Sequence, residues 1–304
     1  ANRDVPPVCD QEMFRFDLQG APTDEDPVPA FAGAVYFDVG SRNLVDVPLA
    51  CRDISDVNDP SCLPESTAVE TNLWDVAANN FVQSTDVTVF VGEPRENTSV
   101  VPPVWNWKGP PDSTAMGLIA TSVPPRWRAD DVTKFSSFGC VHVTPDIGGA
   151  YSTVSCEKNP PIDLVDGHIT LSGLALPDVK VRELLQAAVN AGVISVFPAT
   201  GMVIGRVLAG SASGSGLANV RVTGNPAAAV GYFTEDVDGN IIGVDDTGGA
   251  VTRGNGYFLS LDAGFGTRWT AEQVVDMRRE DGVYYAGLIA NKISIVLIRM
   301  GDPP

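Results

Sequence analysis

Three short stretches decide how this chain is read: Val203-Ile204-Gly205-Arg206-Val207, then Leu217-Ala218-Asn219-Val220-Arg221-Val222, then Thr252-Arg253-Gly254-Asn255-Gly256-Tyr257-Phe258-Leu259. Successive side chains in a strand point to opposite faces, so Val220 and Val222 share one face. Gly205-x-Val207 opens a strand, and Gly254-Asn255-Gly256 is a tight turn. Tyr257 and Leu259 then return on a single face. The Gly/Ser run Gly210–Gly216 joins the first stretch to the second. It lacks the Gly-Lys-Ser/Thr ending of a phosphate loop and the third Gly of a dinucleotide fingerprint, and a strand follows it rather than a helix. It reads as a flexible connection.

Over residues 203–262 this arrangement resembles the carboxypeptidase regulatory-like domain, a transthyretin-like sandwich related to the Cna B-type repeats of surface proteins. The resemblance implies a non-catalytic module of a secreted or surface protein. Some Cna B-type repeats carry a Lys–Asn isopeptide crosslink with the Lys on the first strand. Met202–Leu208 contains no Lys, so no crosslink is expected. The insertion between Gly224 and Val251 is longer than the family pattern. Upstream, Gly33-Ala34-Val35 followed by Leu44-Val45-Asp46-Val47-Pro48-Leu49 has almost the same spacing, with Ser113–Ile119 in the part of Thr252–Leu259. That echo implies a second sandwich with large insertions.

The fold class expected is therefore mainly β, with two β-sandwich (immunoglobulin- or transthyretin-like) domains and two accessory helices. Short apolar runs such as Ala34–Asp38 and Val87–Val91 alternate with Pro, Asn, Asp and Gly, the rhythm of an all-β domain. Phe138–Val143 and Ala150–Val154 form a hairpin, and Ile169–Leu174 and Ile293–Ile298 are further strands. The first helix is capped by Asp178 and runs to about Asn190, with Val181, Leu184, Leu185, Ala188 and Val189 as its apolar stripe and Gly192 as its stop. The second starts at Thr270, with Gln273 completing a capping box, and runs to about Glu280. Residues 1–30, Pro-rich and carrying Asp24-Glu25-Asp26, read as an extended arm. Residues 31–200 read as a disulfide-containing β-rich domain and 201–304 as the regulatory-like sandwich. Charge marks the boundary: residues 201–304 hold 8 basic and 11 acidic residues, against 12 and 27 before them.

Across all 304 residues, 20 Lys and Arg face 38 Asp and Glu, a formal net charge of −18. Such a surface repels phosphate backbones, which excludes nucleic acid as a partner. No apolar run approaches the roughly 20 residues needed to span a bilayer as a helix, so no transmembrane segment is expected. The chain opens at Ala1-Asn2-Arg3-Asp4 without a charged or apolar leader, which reads as a mature start after signal removal.

Five cysteines are present, without a CxxC pair. Sequence proximity favours bridges Cys51–Cys62 and Cys140–Cys156, although four cysteines allow three connectivities. Each would close a short loop and contribute about 3 kcal/mol on the chain-entropy estimate. Cys9 is left over. Bridges of this kind place the chain in an extracytoplasmic, oxidising compartment; the alternative is five buried thiols in a cytosolic protein.

Candidate chemistry is sparse. Only His142 and His168 can serve as imidazole bases, neither lies near a Gly-x-Ser-x-Gly elbow, and both alternate within strands as structural residues do. Cys140-x-His142 lacks a partner pair for zinc. Asp236-x-Asp238-x-Asn240, with Asp245 and Asp246 nearby, has the oxygen-rich opening of a calcium loop. Yet Ile241 and Thr247 stand where an EF-hand needs Gly and Glu, and Asp238-Gly239 is a hairpin turn in its own right. Trp105 and Trp107 share one face of an extended segment flanked by prolines. Exposed, they stack on sugar rings or grip a Pro-rich peptide; buried, they are core. Asn97-Thr98-Ser99 is an N-glycosylation sequon, meaningful only in a glycosylating source.

These readings point to a non-enzymatic extracytoplasmic structural or interaction subunit, with other protein subunits or further copies of itself as partners. It needs no cofactor, calcium aside. Its extension is a filament in which the N-terminal arm and the strand Ile293–Ile298 pair with neighbouring sheet edges. The alternatives are a carbohydrate- or peptide-binding module built on Trp105 and Trp107, and a secreted hydrolase.

Overall fold

The structure, a computed structural model, describes residues 66–99, 103–109, 112–121, 124–133, 135, 138–145, 153–158, 162–163, 168–210, 215–275 and 279–301. The expected arm, Cys9, the Cys51–Cys62 bridge and the upstream echo at 33–49 lie outside the described residues.

In chain order the strands begin with β1 (Ser66–Asp75), β2 (Asn80–Phe81), β3 (Val87–Gly92), β4 (Arg95–Asn97), β5 (Val104–Asn106), β6 (Ser113–Ala115) and β7 (Gly117–Ala120). There follow β8 (Arg126–Thr133), β9 (Phe138–Pro145), β10 (Thr153–Lys158), β11 (Ile162–Asp163) and β12 (His168–Ala175), then helix α1 (Asp178–Asn190). After the helix come β13 (Met202–Ala209), β14 (Val220–Asn225), β15 (Gly231–Glu235), β16 (Ile241–Asp245), β17 (Tyr257–Ser260), β18 (Arg268–Gln273), β19 (Arg279–Tyr285) and β20 (Ile293–Met300). The chain is mainly β. No described helix is long and apolar enough to cross a membrane.

The chain divides into two compact units. Described residues of the first are 66–70, 128–133, 135, 162–163 and 168–170. Within it β11 pairs antiparallel with β12 through Ile162↔Ile169, and Arg128 bridges Glu70 at 3.0 Å and Asp130 at 2.8 Å. All other described residues belong to the second unit, so position 200, the expected boundary, falls inside it.

The centre of the second unit is a parallel pair. β13 and β20 match residue for residue from Met202↔Ile293 to Ala209↔Met300. Both are near-continuous apolar runs, the composition of strands buried on two faces. One face carries Met202, Ile204, Leu208, Ile293 and Ile295 against the stripe of α1. The other carries Val203, Val207, Val296 and Ile298 against Val220, Val222, Trp269 and Ala271 of β14 and β18. Helix α1 and two facing parts of one large sheet, which folds so that β14 and β18 lie over β13 and β20, thus form three layers, and Phe258 of β17 fills the gap between the facing parts. Gly205, paired with Phe258, leaves room for that ring; a Cβ there would collide with it. Gly256, at φ +75°, closes the Arg253–Gly256 turn that returns β17 onto β13.

The central sheet continues beyond β20. β10 pairs parallel with it through Thr153↔Ile293 and antiparallel with β9, which in turn pairs with β3, and β3 with β6. The expected hairpin of β9 and β10 is present, and Cys140 and Cys156 are directly opposed in its register and bonded.

Helix α1 is present as expected, with Val181, Leu184, Leu185 and Ala188 buried and Gly192 at φ +76° beyond its end. Pro177 rather than Asp178 is its N-cap; Asp178 lies in the first turn, ion-paired to Arg182 and favourably placed for the helix dipole. Ala187 is buried in the place expected for Val189, which is 39% exposed. The second expected helix is corrected. Arg268–Gln273 is a strand and so is Arg279–Tyr285, because Trp269 and Ala271, two apart, both enter the core at 0% and 1% exposure. That is a period of two, and a helix from Thr270 would have turned them apart. Ser113–Ile119 is corrected as well: it holds β6 and most of β7, in two different sheets, where a turn and one strand were expected.

Phe258→Ala, which removes the ring over Gly205, is expected to cost about 3–5 kcal/mol in urea unfolding. Val237→Ala, at the fully exposed hairpin tip, stays within about 0.5 kcal/mol.

Candidate functional site

The disulfide is the floor of an aromatic cluster. Cys140 and Val154 are buried with Ile289, and Trp107, Phe138 and Phe265 pack against them. Phe265 stacks on Trp105 at 4.3 Å between ring centres and meets Phe138 edge-on at 5.1 Å; Phe138 also meets Tyr285 at 5.9 Å. Trp105 lies in the β4–β5 ribbon, opposite Glu96, and its carbonyl accepts the N–H of Ala290 at 2.7 Å. Both indoles are half-buried and in contact with rings of this chain. Their i, i+2 spacing brings them to the same cluster, as one face of an extended segment requires.

His142 is walled in beside them. It is 5% exposed, stacked on Phe90 at 5.7 Å and tilted against Trp107 at 4.9 Å. Its Nε2 lies 3.3 Å from the ammonium of Lys292, and its Nδ1 is buried without a hydrogen-bond partner among the described residues. Burial, and then the Lys292 charge, lower its pKa to about 3, so the ring is neutral at pH 7. Burial also lowers the pKa of Lys292. A neutral imidazole beside an ammonium accepts a proton poorly, and the arrangement is one of packing rather than acid–base chemistry. The side chain of His168 lies outside the described set.

The candidate calcium residues form the β15–β16 hairpin turn. Asp236 Oδ1 accepts the backbone N–H of Asp238 at 2.8 Å and of Asn240 at 2.9 Å, and the Asn240 amide reaches Oδ2 at 2.9 Å. Gly239 takes φ +87°. These bonds, the Asn240 side chain first, lower the Asp236 pKa. Among the described residues no group of three or more His, Cys, Asp and Glu is placed to hold a metal ion.

Two features had no counterpart in the sequence reading. One is a mainly apolar cleft of about 390 Å³ lined by Phe81, Gln83, Val87, Leu176, Asp178 and Val181 among others. Its walls come from segments a hundred residues apart, so no local motif announces it. The other is the treatment of sheet edges. The outer edge of β14 is closed by Thr252, whose backbone N–H donates to the Val220 carbonyl and whose hydroxyl accepts the Val220 N–H, and by the Tyr232 hydroxyl, which donates to the Val222 carbonyl and accepts from its N–H at 2.8 Å. At β16 the pairing shifts register opposite Glu235, and Glu183 accepts the N–H of Ile241. Among the described residues β7 ends its sheet, with Gly117, Leu118 and Ile119 exposed, the last two at 41% and 47%.

No family model matches this chain, and no curated protein does. Among solved structures, a streptococcal ancillary pilin is similar at 10% identity over 79% of this chain and 70% of its own, with a TM-score of 0.20. A minor pilin of Streptococcus agalactiae is similar at 9% identity over 79% and 97%, TM-score 0.20. The shaft pilin spaA of Lactobacillus rhamnosus GG is similar at 9% identity over 79% and 99%, TM-score 0.18. At these TM-scores the likenesses carry no argument about this chain.

Two outcomes follow from the geometry. His142 titrates near 6.5 when unfolded and about 3 when folded. Between those values the unfolded chain binds a proton that the folded chain does not, so stability falls as pH drops through that window. His142→Phe is expected to flatten the corresponding fall in melting temperature; an unchanged slope would assign it to other groups. At the hairpin, hydrogen bonds already occupy both Asp236 carboxylate oxygens, so millimolar calcium is expected to leave the melting temperature unmoved. An upward shift would restore the ion to the loop.

Proposed function

We propose that this chain is a non-enzymatic structural and interaction subunit of an extracytoplasmic assembly. The observation that carries the reading is β7, which among the described residues ends its sheet and carries exposed apolar side chains. Unpaired backbone donors and acceptors on such an edge are a template for another strand. The cross-strand disulfide supports an oxidising compartment. The resemblance of residues 203–262 to regulatory-like sandwiches supports a module that binds rather than reacts. Neutral, enclosed His142 supports the same view.

Light scattering with electron microscopy on the non-reduced chain is the test, and ordered multimers are expected. Deleting residues 1–28 is expected to abolish them without moving the unfolding midpoint, as an arm seated on a neighbour requires. Undiminished assembly would remove the arm from the reading. A chain monomeric at every concentration would overturn the reading itself.

A further inference from the structure

We propose that the β4–β5 ribbon is a hinged strap over His142 and that acid releases it: closed, it walls the imidazole off from water, and open, it lets the ring take up a proton. The strap works within one chain and does not depend on the subunit reading.

The ribbon is placed to move. The chain leaves the large sheet after Gly92 and rejoins it at Ser113, and these two residues are paired across β3 and β6. The excursion therefore begins and ends at one rung and can swing without breaking the ladder below it. The Arg95–Asp112 ion pair joins the two ends of the excursion and need not break. Among the described residues β4 and β5 pair only with each other, and two strands of three residues are at most marginally stable by themselves. A few contacts hold the ribbon down. Trp105 stacks on Phe265 at 4.3 Å, the Ala290 N–H donates to the Trp105 carbonyl, and Trp107 packs on Cys140, Val154 and Ile289. Segments with few buried contacts open below the free energy of global unfolding.

What lies under the ribbon answers to acid. Trp107 meets the His142 ring at 4.9 Å, Phe90 stacks on it from β3, and Val154 is its partner in β10. Lys292, just before β20, is the charged group that faces it among the described residues. None of these brings a negative charge to an imidazolium, and Lys292 opposes one. Lifting Trp107 removes one wall and admits water. A proton then binds the open form near the ordinary 6.5 and the closed form only at about 3, so the open form gains as pH falls below 6.5. The opening constant is expected to rise about tenfold per pH unit in that window, or about 100-fold between pH 7.5 and pH 4.5.

Hydrogen exchange of the full-length, non-reduced chain, followed amide by amide, tests this. In low urea the Ala290 amide is expected to exchange through an opening that urea barely promotes. Amides of the β13–β20 pair are expected to exchange only through global unfolding, which urea promotes steeply. Corrected for intrinsic rates, Ala290 protection is expected to fall by the factor given above as pH drops from 7.5 to 4.5. His142→Phe keeps a ring in the box and is expected to abolish that fall, with near-ultraviolet circular dichroism confirming the fold. Trp107→Ala lets water reach His142 without an opening. It is expected to lower protection at neutral pH and to flatten the pH dependence, and it decides the matter if His142→Phe does not fold. Ala290 exchange that follows the β13–β20 amides in urea would overturn the strap. A pH-independent wild type, or a fall that persists in either folded variant, would overturn its release by acid.

Discussion

The parallel register between Met202–Ala209 and Ile293–Met300 is the constraint on which the rest of the second unit depends. These strands are separated by most of the C-terminal third of the chain, yet they lie side by side over eight residues. Each sends alternate side chains into two different cores, so a slip of one residue would exchange the two sets. Met202, Ile204 and Ile293 would leave the helix, and Val203, Val207 and Val296 would leave β14 and β18. Arg206, the one charge in the pair's first strand, adds a further lock. Its guanidinium donates to the carbonyls of Val76 and Ala77 at 2.7 and 2.8 Å and lies over the ring of Tyr257. A half-buried cation of this kind is best satisfied in the register that offers it those acceptors.

The first residues of β20 carry a second consequence. Ile293 and Ser294 pair with β13 on one side and with Thr153 and Val154 of β10 on the other. The disulfide-bonded hairpin of β9 and β10 is therefore an extension of the same sheet. Lys292 precedes this junction and reaches His142 on β9, which explains why two basic side chains meet in an apolar setting. Strand pairing brings them together, and Phe90 and Trp107 exclude the water that would charge the imidazole. The cluster is a product of sheet construction.

Much of this was legible in the sequence, and the failures have a common cause. Gly205, the Val220–Val222 alternation, the Gly254–Gly256 turn and the stripe of α1 are local signals, and each corresponds to the element expected. Cys140 and Cys156 were paired by proximity, which sufficed because they sit across one hairpin. The segment after Thr270 misled because Ala271, Glu272, Gln273 and Val274 have acceptable helix propensity. Its strand state is imposed by Val220 and Val222, which lie far away in sequence, and by Phe258, which together offer Trp269 a fully buried place. Propensity is a weak prior when tertiary contacts compete with it. The apolar cleft and the closed edge of β14 were illegible for the same reason. Tyr232 guards Val222 only because β15 and β14 come to lie on facing parts of one folded sheet.

The edges show why a chain so thoroughly packed still has something to offer a neighbour. A buried N–H or C=O without a partner is costly, so the β14 edge, lying over the core, is closed by a hydroxyl from Thr252 and another from Tyr232. Burial holds the Tyr232 pKa above its ordinary value, which keeps the phenol protonated and able to donate as well as accept. Among the described residues no such device guards β7, and water can satisfy an exposed backbone instead. Burial explains the neutrality of Ser113, Met116 and Pro125, but not that of the exposed Leu118 and Ile119 in a chain with 38 acidic residues. A Lys or Glu at Leu118 or Ile119 would guard the edge without disturbing a core that neither residue enters. Leu118 and Ile119 are exposed and apolar where a single charge would guard the strand, which is what the proposed contact surface requires.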